Sequence, residues 1–69
     1  KVDFKIFQSP QYIAIQGIEE SSKYQLFSID GRQIEHGIIN DNGKIYINTL
    51  HSGIYLIRIN NQAAKFAVN

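Results

Sequence analysis

Apolar and polar residues alternate along this chain with a period of two, and turn-forming residues break the alternation about every ten positions. That period puts apolar side chains on one side of an extended strand, and no stretch carries the longer period of a helix. In the first run Val2, Phe4 and Ile6 alternate with Asp3 and Lys5, until Ser9-Pro10-Gln11 interrupts it. Proline has no N–H for a ladder and biases Ser9 towards an extended backbone. A second strand follows, with Ile13 and Ile15 on one face and Tyr12 and Ala14 on the other, ending at Gly17. Glu19-Glu20-Ser21-Ser22 reads as a loop. The third strand, about Lys23 to Ile29, is apolar on both faces and is expected to be central.

Asp30-Gly31 is the strongest hairpin signal, predicting a type I′ turn with positive φ at two consecutive residues. The returning strand carries Ile34, His36 and Ile38 and ends at the turn Asn40-Asp41-Asn42-Gly43. A fifth strand turns Ile45 and Ile47 inward and Tyr46 outward. Leu50-His51-Ser52-Gly53 is a turn with an apolar anchor, in which Gly53 lets the backbone bend. Ile54 to Ile59 is again apolar on both faces and expected to be central. After Asn60-Asn61-Gln62, a last strand points Ala64, Phe66 and Val68 one way.

Seven such strands predict an all-β fold, a small antiparallel β-sandwich of immunoglobulin-like architecture. The chain has neither Cys nor Trp, so the likeness to antibody domains is one of architecture alone. Its 69 residues are expected to form a single domain, 1–69. A chain of that length buries only ~60% of the surface its unfolded form exposes, and no disulfide supplements the core. The net charge is +1, with cations spread along the chain among acids, so no nucleic-acid partner is expected. No run approaches the ~18 apolar residues of a bilayer span, and Lys1-Val2-Asp3-Phe4 lacks a signal-peptide core. The start without Met fits a piece whose signal peptide and cargo lie upstream of Lys1.

The search for chemistry returns little. Gly37 to Lys44 has the wrong glycine spacing for a phosphate-binding loop, and Ile45 stands where the magnesium-holding hydroxyl belongs. Aligning Gly43 with the glycine of a calcium loop puts Ile38 and Thr49 at the main carboxylate positions, so a plain turn is the better reading. His36, His51 and Ser52 assemble neither a triad nor a zinc site. Tyr12, Tyr24, Tyr46 and Tyr55 could form a sugar-stacking platform if several shared a face, but ordinary strand packing is the simpler account. No catalytic residue, cofactor or metal is expected, and no small-molecule substrate.

Four motifs occur in a fixed order. They are Ser9-Pro10 with Ile13-Ala14-Ile15; Leu26-Phe27-Ser28-Ile29-Asp30-Gly31-Arg32; Ile45, Ile47 and Leu50 with Gly53-Ile54-Tyr55; and Lys65-Phe66-Ala67-Val68. This order resembles the C-terminal sorting domain of the type IX (Por) secretion system of Bacteroidota, over nearly the whole chain. The chain departs from the family in ending at Asn69, where members commonly end in Lys. The resemblance implies a folded, non-enzymatic address label on a cargo that has reached the periplasm. Implied partners are the outer-membrane translocon, shuttle proteins and a sortase that in many members removes the domain. The implied destination is the cell surface or the medium. Residues carried over as the recognised signal are Gly31, Arg32, Gly53, Tyr55, Lys65, Phe66, Ala67, Val68 and Asn69.

Because apolar alternation persists into Lys65 to Asn69, that segment is expected to be the one engaged, by strand addition to a partner. The competing expectation is an accessory binding module, an immunoglobulin-like appendage that holds a secreted enzyme on a carbohydrate or protein.

Overall fold

The computed structural model describes residues 4–69. Within them the alternating runs become β1 (Lys5–Gln8), β2 (Tyr12–Gln16), β3 (Ser22–Ser28), β4 (Gln33–Ile39), β5 (Gly43–Tyr46), β6 (Gly53–Ile59) and β7 (Gln62–Val68). Lys1, Val2 and Asp3, including the first apolar position of the opening run, lie outside the described residues. Pairing is antiparallel throughout, in a three-stranded sheet β1-β2-β5 and a four-stranded sheet β4-β3-β6-β7. No helix occurs among the described residues. In an immunoglobulin constant domain the fourth strand joins the sheet of the first, second and fifth. Here β4 stays beside β3, which gives the strand-switched form of the same sandwich. As expected, the doubly apolar β3 and β6 are the central strands of their sheet.

The core lies between the sheets and is mostly isoleucine. Ile13 and Ile15 of β2, Leu26 of β3 and Ile57 of β6 are wholly buried, and Ile45, Ile47, Ile59 and Phe66 nearly so. Branched side chains suit this position because their restricted χ1 is already strand-like. Leu26 pairs across the sheet with Ile57. Ile57 is two residues after Tyr55, where antibody domains carry the second cysteine of their bridge. A wholly buried aliphatic side chain, Ile57, thus stands where that cysteine would.

One expectation needs correction. The β3–β4 connection is a hairpin, but of the three-residue kind: Gly31 alone has positive φ (+91°). The Gly31 N–H donates to the Ser28 carbonyl and the Ser28 N–H to the Arg32 carbonyl, both at 2.9 Å. This is the pattern of a turn closed by one left-handed glycine. Just beyond it the register shifts, Leu26 facing Glu35 and Phe27 facing Gln33, so Ile34 is the extra residue of a bulge.

The inward face of β4, which the sequence left open, is fixed by the structure. Ile34 and Ile38 face outward, 41% and 63% exposed, with His36 exposed between them, whereas Ile39 is buried. The physical reason is Gly37. It pairs with Tyr24, whose ring covers it so closely that a Cβ would stand 3.0 Å from Cε2. The position without a side chain must therefore face inward, which turns its neighbours out.

Candidate functional site

The segment singled out in the sequence is built as a sheet edge. β7 pairs with β6 from Ile59↔Gln62 to Gly53↔Val68. Its other side has no strand partner among the described residues. In an antiparallel ladder every second residue turns its main chain away from the neighbour. Ala67 belongs to that outward set, because its carbonyl accepts a hydrogen bond from the Gln8 side-chain amide of β1. Ala63 and Lys65 share its parity. Their side chains also leave the core, since Ala63, Lys65 and Ala67 are exposed while Phe66 is buried. Gln8, Ser9, Pro10 and Ile47 meet Ala67, Val68 and Asn69 around a cleft of about 610 Å³ at the C-terminal end of β7.

Phe66 anchors this strand. Its ring stacks on Tyr55 with centroids 5.8 Å apart and planes 24° from parallel. The Tyr55 hydroxyl reaches back to the His51 carbonyl at 2.7 Å. A tyrosine near the start of the sixth strand, bonded to main chain a few residues upstream, is the tyrosine corner of immunoglobulin-like sandwiches. Tyr55 was singled out by family resemblance, and the signal for its structural role was its place two residues after the turn glycine, Gly53. Gly53 holds φ +153°, which side-chain-bearing residues rarely adopt.

Gly31 and Arg32 lie elsewhere, exposed in the β3–β4 turn. The Asp30 carboxylate accepts from the Ser28 hydroxyl, and that bond, helped by the Arg32 main chain and charge, holds its carboxyl below the ordinary aspartate range. In β6 and β7, by contrast, Gly53, Tyr55 and Lys65 to Val68 are brought together: Gly53 pairs with Val68, Tyr55 with Phe66 and Leu56 with Lys65. Arg32 is outside that group.

The other candidates separate. Asp41 of the supposed calcium loop spends its carboxylate on the Gly17 and Ile18 N–H groups, at 2.7 and 3.3 Å, tying the β4–β5 turn to the β2–β3 loop. Asn42 supplies the left-handed residue of that turn, φ +65°. His36 stands on the outer face of β4, while His51 and Ser52 lie in the β5–β6 connection. Among the described residues no group of three His, Cys, Asp or Glu side chains is placed to hold a metal. Tyr24 and Tyr55 share the core-facing side of the larger sheet, while Tyr12 and Tyr46 on the outer side of the smaller sheet pack edge to face at 74° with the Lys44 ammonium 4.6 Å over the Tyr12 ring. Such rings form no coplanar platform.

The class defined by these features is a small strand-switched β-sandwich whose last strand lies along a sheet edge, pinned by an aromatic pair. The chain matches the model of the secretion system C-terminal sorting domain over residues 8–68 and belongs to that family, the C-terminal sorting signals of type IX secretion. It is not a family of enzymes, and its signal implies export across the outer membrane. No curated protein and no solved structure matches the chain.

Proposed function

We propose that this chain directs a cargo, joined ahead of Lys1, across the outer membrane to the cell surface or the medium, and that the translocation machinery reads the open edge of β7. The observation that carries the reading is the outward-turned main chain of β7, displayed between exposed Ala63, Lys65 and Ala67 while Phe66 fixes the strand from below. An added strand gains ladder hydrogen bonds there, and the alternate side chains set its register. Gly31, Gly53, Tyr55, Phe66 and Val68 then serve recognition by holding the edge in shape, and Lys65, Ala67 and Asn69 are the parts a partner touches. Shuttle proteins and a sortase act after that contact. The 1–69 chain serves as one unit in this scheme.

Removing 65–69 also removes buried Phe66, so loss of export in that truncation mixes misfolding with lost recognition. Lys65→Pro separates them. Its N–H belongs to the outward set, so proline there deletes a docking donor and leaves the β6 ladder intact. In a reporter fusion, Lys65→Pro is expected to hold the reporter in the periplasm while the isolated chain keeps its circular dichroism spectrum. Normal surface display of this variant would overturn edge recognition.

A further inference from the structure

The net charge of +1 conceals a face that carries cations and none of the described acidic side chains. On the outer face of β4-β3-β6-β7 the register aligns His36, Gln25 and Arg58 in one row across three strands, with Lys23 two residues from Gln25 on the same face. Lys65 lies on that face as well, paired with Leu56. Every described carboxylate is elsewhere: Glu19 and Glu20 in the β2–β3 loop, Asp30 in the β3–β4 turn, Asp41 on the Gly17 amide, and Glu35 turned to the Tyr24 hydroxyl at 2.6 Å.

Around the His36–Gln25–Arg58 row the surface sinks into a depression of about 760 Å³ that also includes Lys23, Gln33 and Asn61. Gln25 donates to the Gln33 carbonyl at 3.0 Å, which leaves the Gln25 oxygen as an acceptor and the Gln33 amide as a donor.

We propose that this depression binds an acidic saccharide, with the acid group between Arg58 and Lys23 and the ring hydroxyls on the amides. A volume of this size suits a small ligand. Uncompensated cations call for an anion. Carboxamides both donate and accept, as a hydroxyl does and a carboxylate or phosphate does not. A bare inorganic anion would leave the amides unused, and an acidic peptide engages its main-chain donors and acceptors at a sheet edge rather than on the face of central strands such as β3 and β6. The site is distinct from the β7 edge main chain, so it stands or falls apart from the secretion reading.

The test is a titration of the isotope-labelled 69-residue chain, followed by amide chemical shifts, with trigalacturonate and a heparin-derived tetrasaccharide as probes. Maltotriose, hexaglutamate and inorganic phosphate are the comparisons. At least one acidic saccharide is expected to shift Lys23, Gln25, His36 and Arg58 saturably. Its affinity should fall about tenfold in high salt or in Arg58→Gln, as for a charge-assisted contact, with the melting temperature unchanged. The proposal is overturned if neither acidic saccharide shifts these residues, or if Arg58→Gln binds as the parent does. It is equally overturned if maltotriose, hexaglutamate or phosphate binds as tightly.

Discussion

Tyr24 shows how one side chain can be read by its titration. Burial first, then the Glu35 carboxylate accepting from its hydroxyl, pushes its phenol from 10.0 up to about 12. A raised pKa means that the fold prefers the neutral phenol. Its contribution to stability is complete below pH 10.0 and is lost as pH rises from there through about 12. Ultraviolet titration should therefore show one phenol ionising near 12 in the parent and not in Tyr24→Phe.

Asp30 runs the opposite way. The Ser28 hydroxyl, foremost, lowers its carboxyl from the ordinary 3.8, so its stabilisation is present above that value and is lost as pH falls below it. Amide exchange at Gly31 is expected to quicken, relative to its intrinsic rate, as the pH drops below 3.8, and Ser28→Ala should bring on the loosening at higher pH.

For Gly31 and Gly53 the constraint is the backbone alone. A Cβ on Gly31 would meet nothing within 4 Å, and one on Gly53 would only touch Tyr55 at 3.9 Å, but φ is +91° and +153°. Replacing either with Val should destabilise the fold by more than ~1 kcal/mol in denaturant titration.

At the level of elements, the aromatic corner makes its own prediction. Tyr55→Phe keeps the stack on Phe66 and loses only the bond to His51, so it should lower stability by ~0.5–1.5 kcal/mol. If Tyr55 acts by shaping β7, export of a fused reporter should fall only as far as that stability does. A variant as stable as the parent that fails to export would instead make Tyr55 a contact residue.

Strands with one clear apolar face were legible in the sequence. Ile13 and Ile15 of β2, and Phe66 between Ala64 and Val68 of β7, face as their alternation demands. β4 was not legible, because Ile34, Ile38 and Ile39 permit either parity, and the choice is made by Gly37 beneath the Tyr24 ring. The turn type at Asp30-Gly31 escaped for a related reason. Both hairpin forms accept Asp-Gly, and the bulge at Ile34 that accompanies the longer loop leaves no mark on local composition. The shared face of Lys23, Arg58 and Lys65 was hidden too, since these cations come from three strands far apart in the chain and meet only through strand pairing, while Glu19, Glu20, Asp30 and Asp41 fall in loops and turns.

The whole molecule has little stability to spare. A chain below ~70–80 residues without disulfides draws about 3–5 kcal/mol from its core, and Ile57→Ala at a wholly buried site removes ~2–5. That variant should be partly unfolded near room temperature by circular dichroism, with a midpoint well below that of the parent. The layout adds one more property. Phe4 lies at the end that holds Gly17, Asn60 and Gln62, whereas Val68 and Asn69 lie at the opposite end beside Ser9, Pro10 and Ile47. A pull between these two ends runs along the strands, across ladder bonds that stand perpendicular to it. The β1–β2 and β6–β7 seams are then loaded in shear, many bonds at once, rather than peeled one bond at a time. A label with a small core would thereby resist traction along its length far better than heat.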